Sequence, residues 1–347
     1  MPEPRLDNRT DFAVVSRVLL DGDGEKLVAM VKATFECPAQ GGTLEIAPKS
    51  RRRGLRSKDF PWGEPEISSI AYPADVCVRK PATDVLIVAR AHAPGGKPVP
   101  SFDAYVGVGP LRKAIRIHGL RVWEVNGAGI SAPRPLDKIE MRYDYAWGGF
   151  DDSDKAKPVE EARNPVGMGC VRDPSALTDR PAPQIDDPAA PLKNWKTRPP
   201  PMGIGPIGRH WAPRRGYAGT YDEHWQENRC PLPPTDFDDR FNQCASPGLI
   251  ASPPLLGGEE VKLLNLVPRG GPTVFTLPRV AVEIEFQAKD REPEAFRPHL
   301  DTVLIDLMGF VADQPVAIEL VWRAHVKAPR YVHQARVVVR EVAWGTG

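Results

Sequence analysis

The chain has 347 residues, with 46 basic side chains against 45 acidic ones and a formal net charge of +1. That balance excludes a global attraction to nucleic acid or an anionic membrane, while 41% hydrophobic and 26% charged residues exclude a disordered chain. The 39 prolines and 30 glycines argue against a helical bundle, because an interior proline costs a helix roughly 3 kcal/mol.

From the N-terminus, Met1–Leu20 has no charged head followed by an apolar run, since Arg17 interrupts Phe12–Leu20. No stretch approaches the roughly 18 apolar residues of a membrane span. The five scattered cysteines (Cys37, Cys77, Cys170, Cys230 and Cys244) read as reduced thiols. The expectation is a cytoplasmic protein without a membrane span. Phe12–Leu20 and Leu27–Glu36 are predicted strands joined at Asp21-Gly22-Asp23-Gly24 as a hairpin. In the second, Val31, Ala33 and Phe35 alternate with Lys32, Thr34 and Glu36, the period of a half-buried strand. Further strands are predicted at Asp75–Arg79, Thr83–Ala91, Phe102–Val108, Lys113–His118, Arg121–Val125 and Ile139–Ala146, with turn signals between them.

From about Phe150 to Leu255 the pattern breaks down, and 18 of the 39 prolines fall there. The segment also carries Trp195, Trp211, Tyr217, Tyr221, Trp225, Phe237 and Phe241. Aromatic side chains bury about 150–250 Å² each, so the segment reads as a packed irregular layer rather than a disordered linker. One short helix is predicted at Asp236–Cys244, capped by Thr235. Strands return at Val261–Val267, Thr273–Leu277, Val280–Phe286, Thr302–Leu307, Val316–His325 and Ala335–Trp344. The predicted fold is mainly β: antiparallel sheets of sandwich or open-barrel type, little helix, and no strand–helix–strand alternation to support a parallel sheet. The predicted parts are a β-rich 1–149, an irregular insertion 150–255 and a β-rich 256–347, the first and last open to forming one body.

Catalytic spacing is missing. There is no HExxH, no CxxC with a matching histidine pair, no GxSxG and no GxxxxGK. Gly203-Ile204-Gly205-Pro206-Ile207-Gly208 matches GxGxxG in letters. It follows three prolines and contains Pro206, which has no amide to offer a phosphate, so it reads as a rigid loop. His92-Ala93-Pro94-Gly95-Gly96-Lys97 reads as a turn between strands. The run Lys49–Lys58 holds Lys49, Arg51, Arg52, Arg53, Arg56 and Lys58. It reads first as a solvated loop, with an acidic protein surface or nucleic acid as the alternatives. His210, Asp222 and His224 share the irregular segment and define the enzymatic alternative, a hydrolase or metal-dependent enzyme acting on an envelope or protein substrate.

Several linear motifs carry a resemblance. They are Pro81-Ala82-Thr83-Asp84-Val85-Leu86-Ile87-Val88, Gly119-Leu120-Arg121-Val122-Trp123, Arg142-Tyr143-Asp144-Tyr145-Ala146-Trp147-Gly148-Gly149 and Asn164-Pro165-Val166-Gly167. The densest stretch is Gly203–Pro234, above all Trp211-Ala212-Pro213-Arg214 and Ala218-Gly219-Thr220-Tyr221-Asp222, followed by Asp236-Phe237-Asp238-Asp239-Arg240-Phe241 and Leu300-Asp301-Thr302. Over roughly residues 10 to 325 the chain resembles a bacterial family first catalogued as a domain of unknown function and since associated with type VI secretion. The resemblance implies a non-enzymatic adaptor or chaperone that binds an effector, often one with a PAAR-like tip domain, for delivery to the spike protein VgrG. It brings no catalytic residue, cofactor or metal, and no nucleic-acid or small-molecule substrate is expected. A structural part of the injection machine is a third reading. Binding energy concentrates in Trp, Tyr and Arg, so Tyr221, Trp225 and Arg229 are the candidate partner-binding residues.

Overall fold

Alternation along one segment organises the molecule. In Gly24–Cys37, Leu27, Ala29, Val31, Ala33 and Phe35 enter the main core, while Val28 and Met30 join a smaller apolar cluster on the opposite side. The computed structural model describes residues 3–37, 43–268, 270–309 and 315–343. Its longer strands are β1 (Arg5–Asn8), β2 (Ala13–Asp21), β3 (Gly24–Cys37), β4 (Thr83–Val88), β5 (Ser101–Val108), β6 (Leu111–His118), β7 (Glu260–Leu264), β8 (Pro272–Thr276), β9 (Ala281–Ala288), β10 (Arg291–Phe296), β11 (Leu300–Asp306), β12 (Val316–Lys327) and β13 (Arg336–Val342).

Three sheets hold these strands. A seven-stranded sheet runs from the short strand Ile250–Ala251 through β4, β11, β12 and β3 to β2, with Glu45–Ile46 also on β3. A five-stranded sheet has the order Ile185–Asp186, β6, β5, β7, β8, and a four-stranded one the order β1, β13, β9, β10. The predicted mainly-β fold with antiparallel sheets is what forms, and none of these strand orders closes into a barrel. Besides a short parallel bridge of Trp147–Gly148 with Met168–Gly169, two pairs of the longer strands depart from the antiparallel expectation: β4 lies parallel to β11 and β1 parallel to β13. Both join strands far apart in sequence, so no local crossover helix announces them.

The inward faces of all three sheets meet in one apolar cluster. Ile318, Leu320 and Trp322 of β12, Phe102, Ala104 and Val106 of β5, and Val282, Ile284 and Phe286 of β9 all belong to it. Phe12 stacks on Trp322 with ring centroids 6.3 Å apart.

The hairpin is confirmed, with Asp21 opposite Gly24 across the turn. Several expectations are overturned. Asp75–Arg79 makes no ladder, although Val76 and Val78 alternate as a strand would. Those two side chains lie on the outer face of the large sheet beside Val28 and Met30, and the Arg323 guanidinium takes the carbonyls of Asp75 (2.9 Å) and Cys77 (3.2 Å) where a neighbouring strand would. Arg121–Val125 makes only isolated bridges at Val122 and Trp123. Its apolar signal comes from Trp123, buried in a satellite cluster with Trp147 and Leu177. Ile139–Ala146 stops as a strand at Glu140 and tightens into a 3-10 turn at Tyr143–Tyr145. The helix expected at Asp236–Cys244 is a single 3-10 turn, Asp239–Asn242, capped by Asp238 rather than Thr235. Trp344, at the end of the last predicted strand, lies outside the described residues.

The basic run is the largest correction. It is a solvated loop only in part: Lys49, Arg51 and Lys58 are exposed, yet its four arginines answer the chain's own acids. Arg51 grips Glu36 through two bonds of 2.6 and 2.7 Å, and Arg52 reaches Asp11 at 2.9 Å. Arg53 binds Asp306 (2.6 Å) and Glu319 (3.1 Å), and Arg56 binds Glu319 at 2.6 Å. Beneath them Lys32, fully buried, contacts Asp75 (2.5 Å) and Glu319 (2.9 Å). Three cations and three carboxylates thus meet between the outer face of the large sheet and the covering coil, with Lys32 and the acids buried and Arg53 still partly exposed. Burial opposes the ionisation of Glu319, but Lys32 and Arg56 outweigh it and hold the carboxyl at about 2.

This layer generates a stability prediction. Glu319→Ala removes the one carboxylate that meets Lys32, Arg53 and Arg56 together among the described residues, leaving Asp75 and Asp306, and is expected to cost about 3–5 kcal/mol, read as a lowered denaturant midpoint. Glu319 is held below its ordinary value of 4.5, so its contribution is complete above that pH and is lost as pH falls towards about 2. Glu319→Gln should flatten the stability profile in that acid window. An unchanged profile would show that the layer does not depend on this charge.

Candidate functional site

The proline-rich middle is built in as a strap along β4. Val85 N–H donates to Leu249 C=O (2.9 Å) and Ile87 N–H to Ile204 C=O (3.1 Å), so irregular chain closes part of that strand's edge. Buried Asp84 accepts the amides of Cys244 (2.9 Å) and Ala245 (3.1 Å) and is held by Lys80 at 2.7 Å. Burial alone would lower the Lys80 pKa, but Asp84 outweighs it and holds the ammonium above its ordinary value. Burial pushes the Cys244 thiol up to about 12, which leaves it protonated and unreactive.

The GxGxxG letters have a packing cause. A β-carbon at Gly203 would sit 2.5 Å from the Tyr143 ring, and one at Gly208 would sit 2.7 Å from the Trp211 indole. Tyr143 meets Trp211 edge to face at 5.4 Å, and its hydroxyl bonds Ser246 Oγ at 2.7 Å. Two of the three glycines therefore make room for fixed rings. Trp195 likewise turns towards the satellite cluster.

Beyond the strap, residues 217–238 form a lobe closed on itself. Thr220 donates through N–H (2.9 Å) and Oγ1 (2.8 Å) to the Asp236 carboxylate, and Asp238 N–H donates to Tyr217 C=O at 3.0 Å. At its root, buried Arg214 donates to the carbonyls of Phe241 (3.0 Å) and Ile207 (2.7 Å). The lobe carries helix α1 (Glu223–Asn228), whose N-cap is Asp222 accepting Trp225 N–H at 2.8 Å.

The three candidate residues come together here. Tyr221 and Trp225 pack edge to face with centroids 4.6 Å apart, and Arg229 follows one turn later. Their surroundings differ. Tyr221 is 56% exposed, whereas Trp225 is half-buried and donates its indole N–H to Leu232 C=O at 2.8 Å. Arg229 donates to Pro233 C=O (2.6 Å) and across to Gly22 C=O (2.8 Å) in the β2–β3 turn, pinning the lobe to the body. A cleft of about 490 Å³ opens beside them, lined by Thr220, Asp222, His224, Trp225, Asn228 and Arg229 among others.

His210, Asp222 and His224 do not gather. Asp222 is spent as the helix cap, His224 Nδ1 lies 3.2 Å from the Asn228 amide, and His210 is exposed elsewhere in the strap. Among the described residues, no three His, Cys, Asp or Glu side chains are grouped to hold a metal ion. No helix among them is long and apolar enough to cross a membrane. Of the anchors, Lys80 was not singled out from the sequence, and Asp84 and Arg214 entered only as letters of the resemblance motifs, without a role. Their available signal was a charge set inside or beside an apolar run, as in Lys80 and Asp84 flanking the start of Thr83–Val88.

Residues 23–323 match the model of a family described as "Uncharacterized protein conserved in bacteria (DUF2169)". The chain belongs to this family. The matched span takes in the ionic layer, the strap and the whole lobe, so these are features of the region that defines DUF2169 membership. No curated protein and no solved structure matches the chain.

Arg229→Ala is predicted to release the lobe without unfolding the body. Cleavage within 217–238 should quicken in limited proteolysis while the thermal midpoint shifts little. Equal cleavage rates would show that the bond to Gly22 does not restrain the lobe.

Proposed function

We propose that this chain is a non-enzymatic adaptor that holds a type VI secretion effector, one with a PAAR-like domain, in the cytoplasm and passes it to the VgrG spike. The supporting observation is the lobe: a preformed projection, fastened at its root and side, that leaves the Tyr221 ring in the open beside Trp225. The sequence resemblance supplies the class of partner. Order in the free protein lowers the entropy lost on binding, and an amphipathic ring on a fixed support is the kind of residue that dominates an interface. A stable complex would bury about 1,200–2,000 Å², far more than the lobe alone offers, so the grip extends beyond it.

The test is recovery of the effector with the tagged chain from a host that carries the secretion genes, followed by loading onto VgrG. Tyr221→Ala should cut recovery about tenfold, a change of about 1.4 kcal/mol, with an unchanged thermal midpoint. Effector that reaches VgrG equally well without this chain would refute the adaptor reading. Undiminished recovery with Tyr221→Ala would remove the lobe from it.

A further inference from the structure

Strand β6 breaks its own pattern. Lys113, Ile115 and Ile117 share one face, and both isoleucines are fully buried in the main core. Lys113 continues that row where an apolar residue is due. Its ammonium donates to Ser246 Oγ (2.6 Å) and Pro247 C=O (2.7 Å), and among the described residues no carboxylate lies within 4.0 Å. Burial pushes its pKa down to about 7, with Asp187 only partly opposing the shift. An ammonium held this way gains from any anion brought to it.

Lys113 lines an open cleft of about 430 Å³. The remaining walls come mainly from the proline-rich middle, with Pro188, Pro200, Pro201, Met202 and Pro213 supplying apolar surface that carries few donors. Arg112 stands exposed at the rim, bonded among the described residues only to the carbonyls of Gly109 and Leu111. The third cation, Arg163, is already committed to Glu161 at 2.7 and 2.6 Å. Asp187 is the acid in the lining, and its Oδ1 is occupied by the Ala189 amide at 2.8 Å. Among the described residues, neither Arg112 nor Lys113 has an ion-pair partner, so the cleft offers one exposed cation and one amine that an incoming anion would hold protonated, above an apolar trough. A trough without charge would suit any greasy side chain, and a charged one without apolar walls any free anion. Their combination selects both features in one segment.

We propose that this cleft seats a segment of the bound protein in which a bulky apolar side chain neighbours a carboxylate, the prolines and Met202 taking the apolar group and Lys113 with Arg112 taking the anion. This rests on the adaptor reading and names the chemistry of what is gripped. It also supplies contact area away from the lobe.

The test pans random short peptides displayed on phage against the purified full chain, then measures a synthetic peptide from the enriched set. Enriched sequences should place Asp or Glu beside Leu, Ile, Met, Phe or Trp. Binding should fall about tenfold or more for Lys113→Met, for Arg112→Glu, and when the peptide's acid is changed to its amide. Arg112 is exposed and bonds only nearby carbonyls among the described residues, so Arg112→Glu keeps the test valid if Lys113→Met unsettles the loop at Ser246. Enriched peptides without an acid, or equal binding by Arg112→Glu, would overturn the proposal. Effector recovery undiminished in both variants that lose the peptide would also overturn it, leaving the adaptor reading intact. Peptide binding as expected with no effector recovered would uphold the cleft and remove the secretion reading instead.

Discussion

A sheet buried on both faces needs two covers, and in this chain the second cover is mostly coil. The seven-stranded sheet gives one face to the apolar core and the other to the segment around 49–80. What fastens that segment is the pairing of Lys32, Arg53 and Arg56 with Asp75, Asp306 and Glu319. Such a layer is a poor source of net stability, because removing each ion from water costs several kcal/mol before pairing returns it. It is a strong source of specificity. Thr34 of β3 faces Glu319 of β12, and Lys32 faces Val321. A slip of one residue in that pairing would turn Lys32 or Glu319 towards the apolar core, where nothing answers it.

Legibility followed the same division. Strands with one face in the apolar core announced themselves through period-two alternation, as in β3, β5 and β9. The edge strands Arg5–Asn8 and Arg291–Phe296 were missed because their side chains are largely exposed and polar, leaving no alternation to read. Val76 and Val78 alternate because they lie on a sheet, not because they belong to one. The six-residue helix at Glu223–Asn228 was missed because it buries no residue and so has no apolar stripe; its cap, Asp222, was the one local sign. The basic run was misread because the acids that neutralise Arg53, Asp306 and Glu319, lie more than 250 residues away in sequence.

The irregular middle shows how a proline-rich segment can be ordered without regular structure. Side chains satisfy its backbone and tie it to the body: Asp84 of β4 takes two of its amides, its own Arg214 takes two of its carbonyls, and its Asn164 reaches out to the carbonyls of Tyr143 and Trp147. Most of the rings that signalled order in the sequence are used to hold this coil down. Trp211 and Trp195 are anchors, and Phe237 and Phe241 pack on each other at the lobe's root. The aromatic content therefore pointed to a packed layer, and of the candidate set Tyr221 lies exposed while Trp225 and Arg229, both half-buried, line the cleft beside it. Of the three candidate residues, Arg229 is legible as a cation in the sequence yet is committed to carbonyls in the fold.

Against this background the setting of Lys113 carries weight. The cations of the ionic layer face carboxylates, and buried Arg214 is enclosed with its donors on carbonyls. Lys113 alone combines a core-facing position, no ion pair among the described residues and a place in the wall of an open cleft. A charged group set in a core-facing row departs from the local pattern, and departures of that kind are expected at functional or strained sites. The same proline-rich strap that supplies the cleft's walls also carries the lobe at its far end. A partner that touched both would be held at two points on one continuous segment, so the spacing between them, rather than any single contact, would set the geometry of the complex.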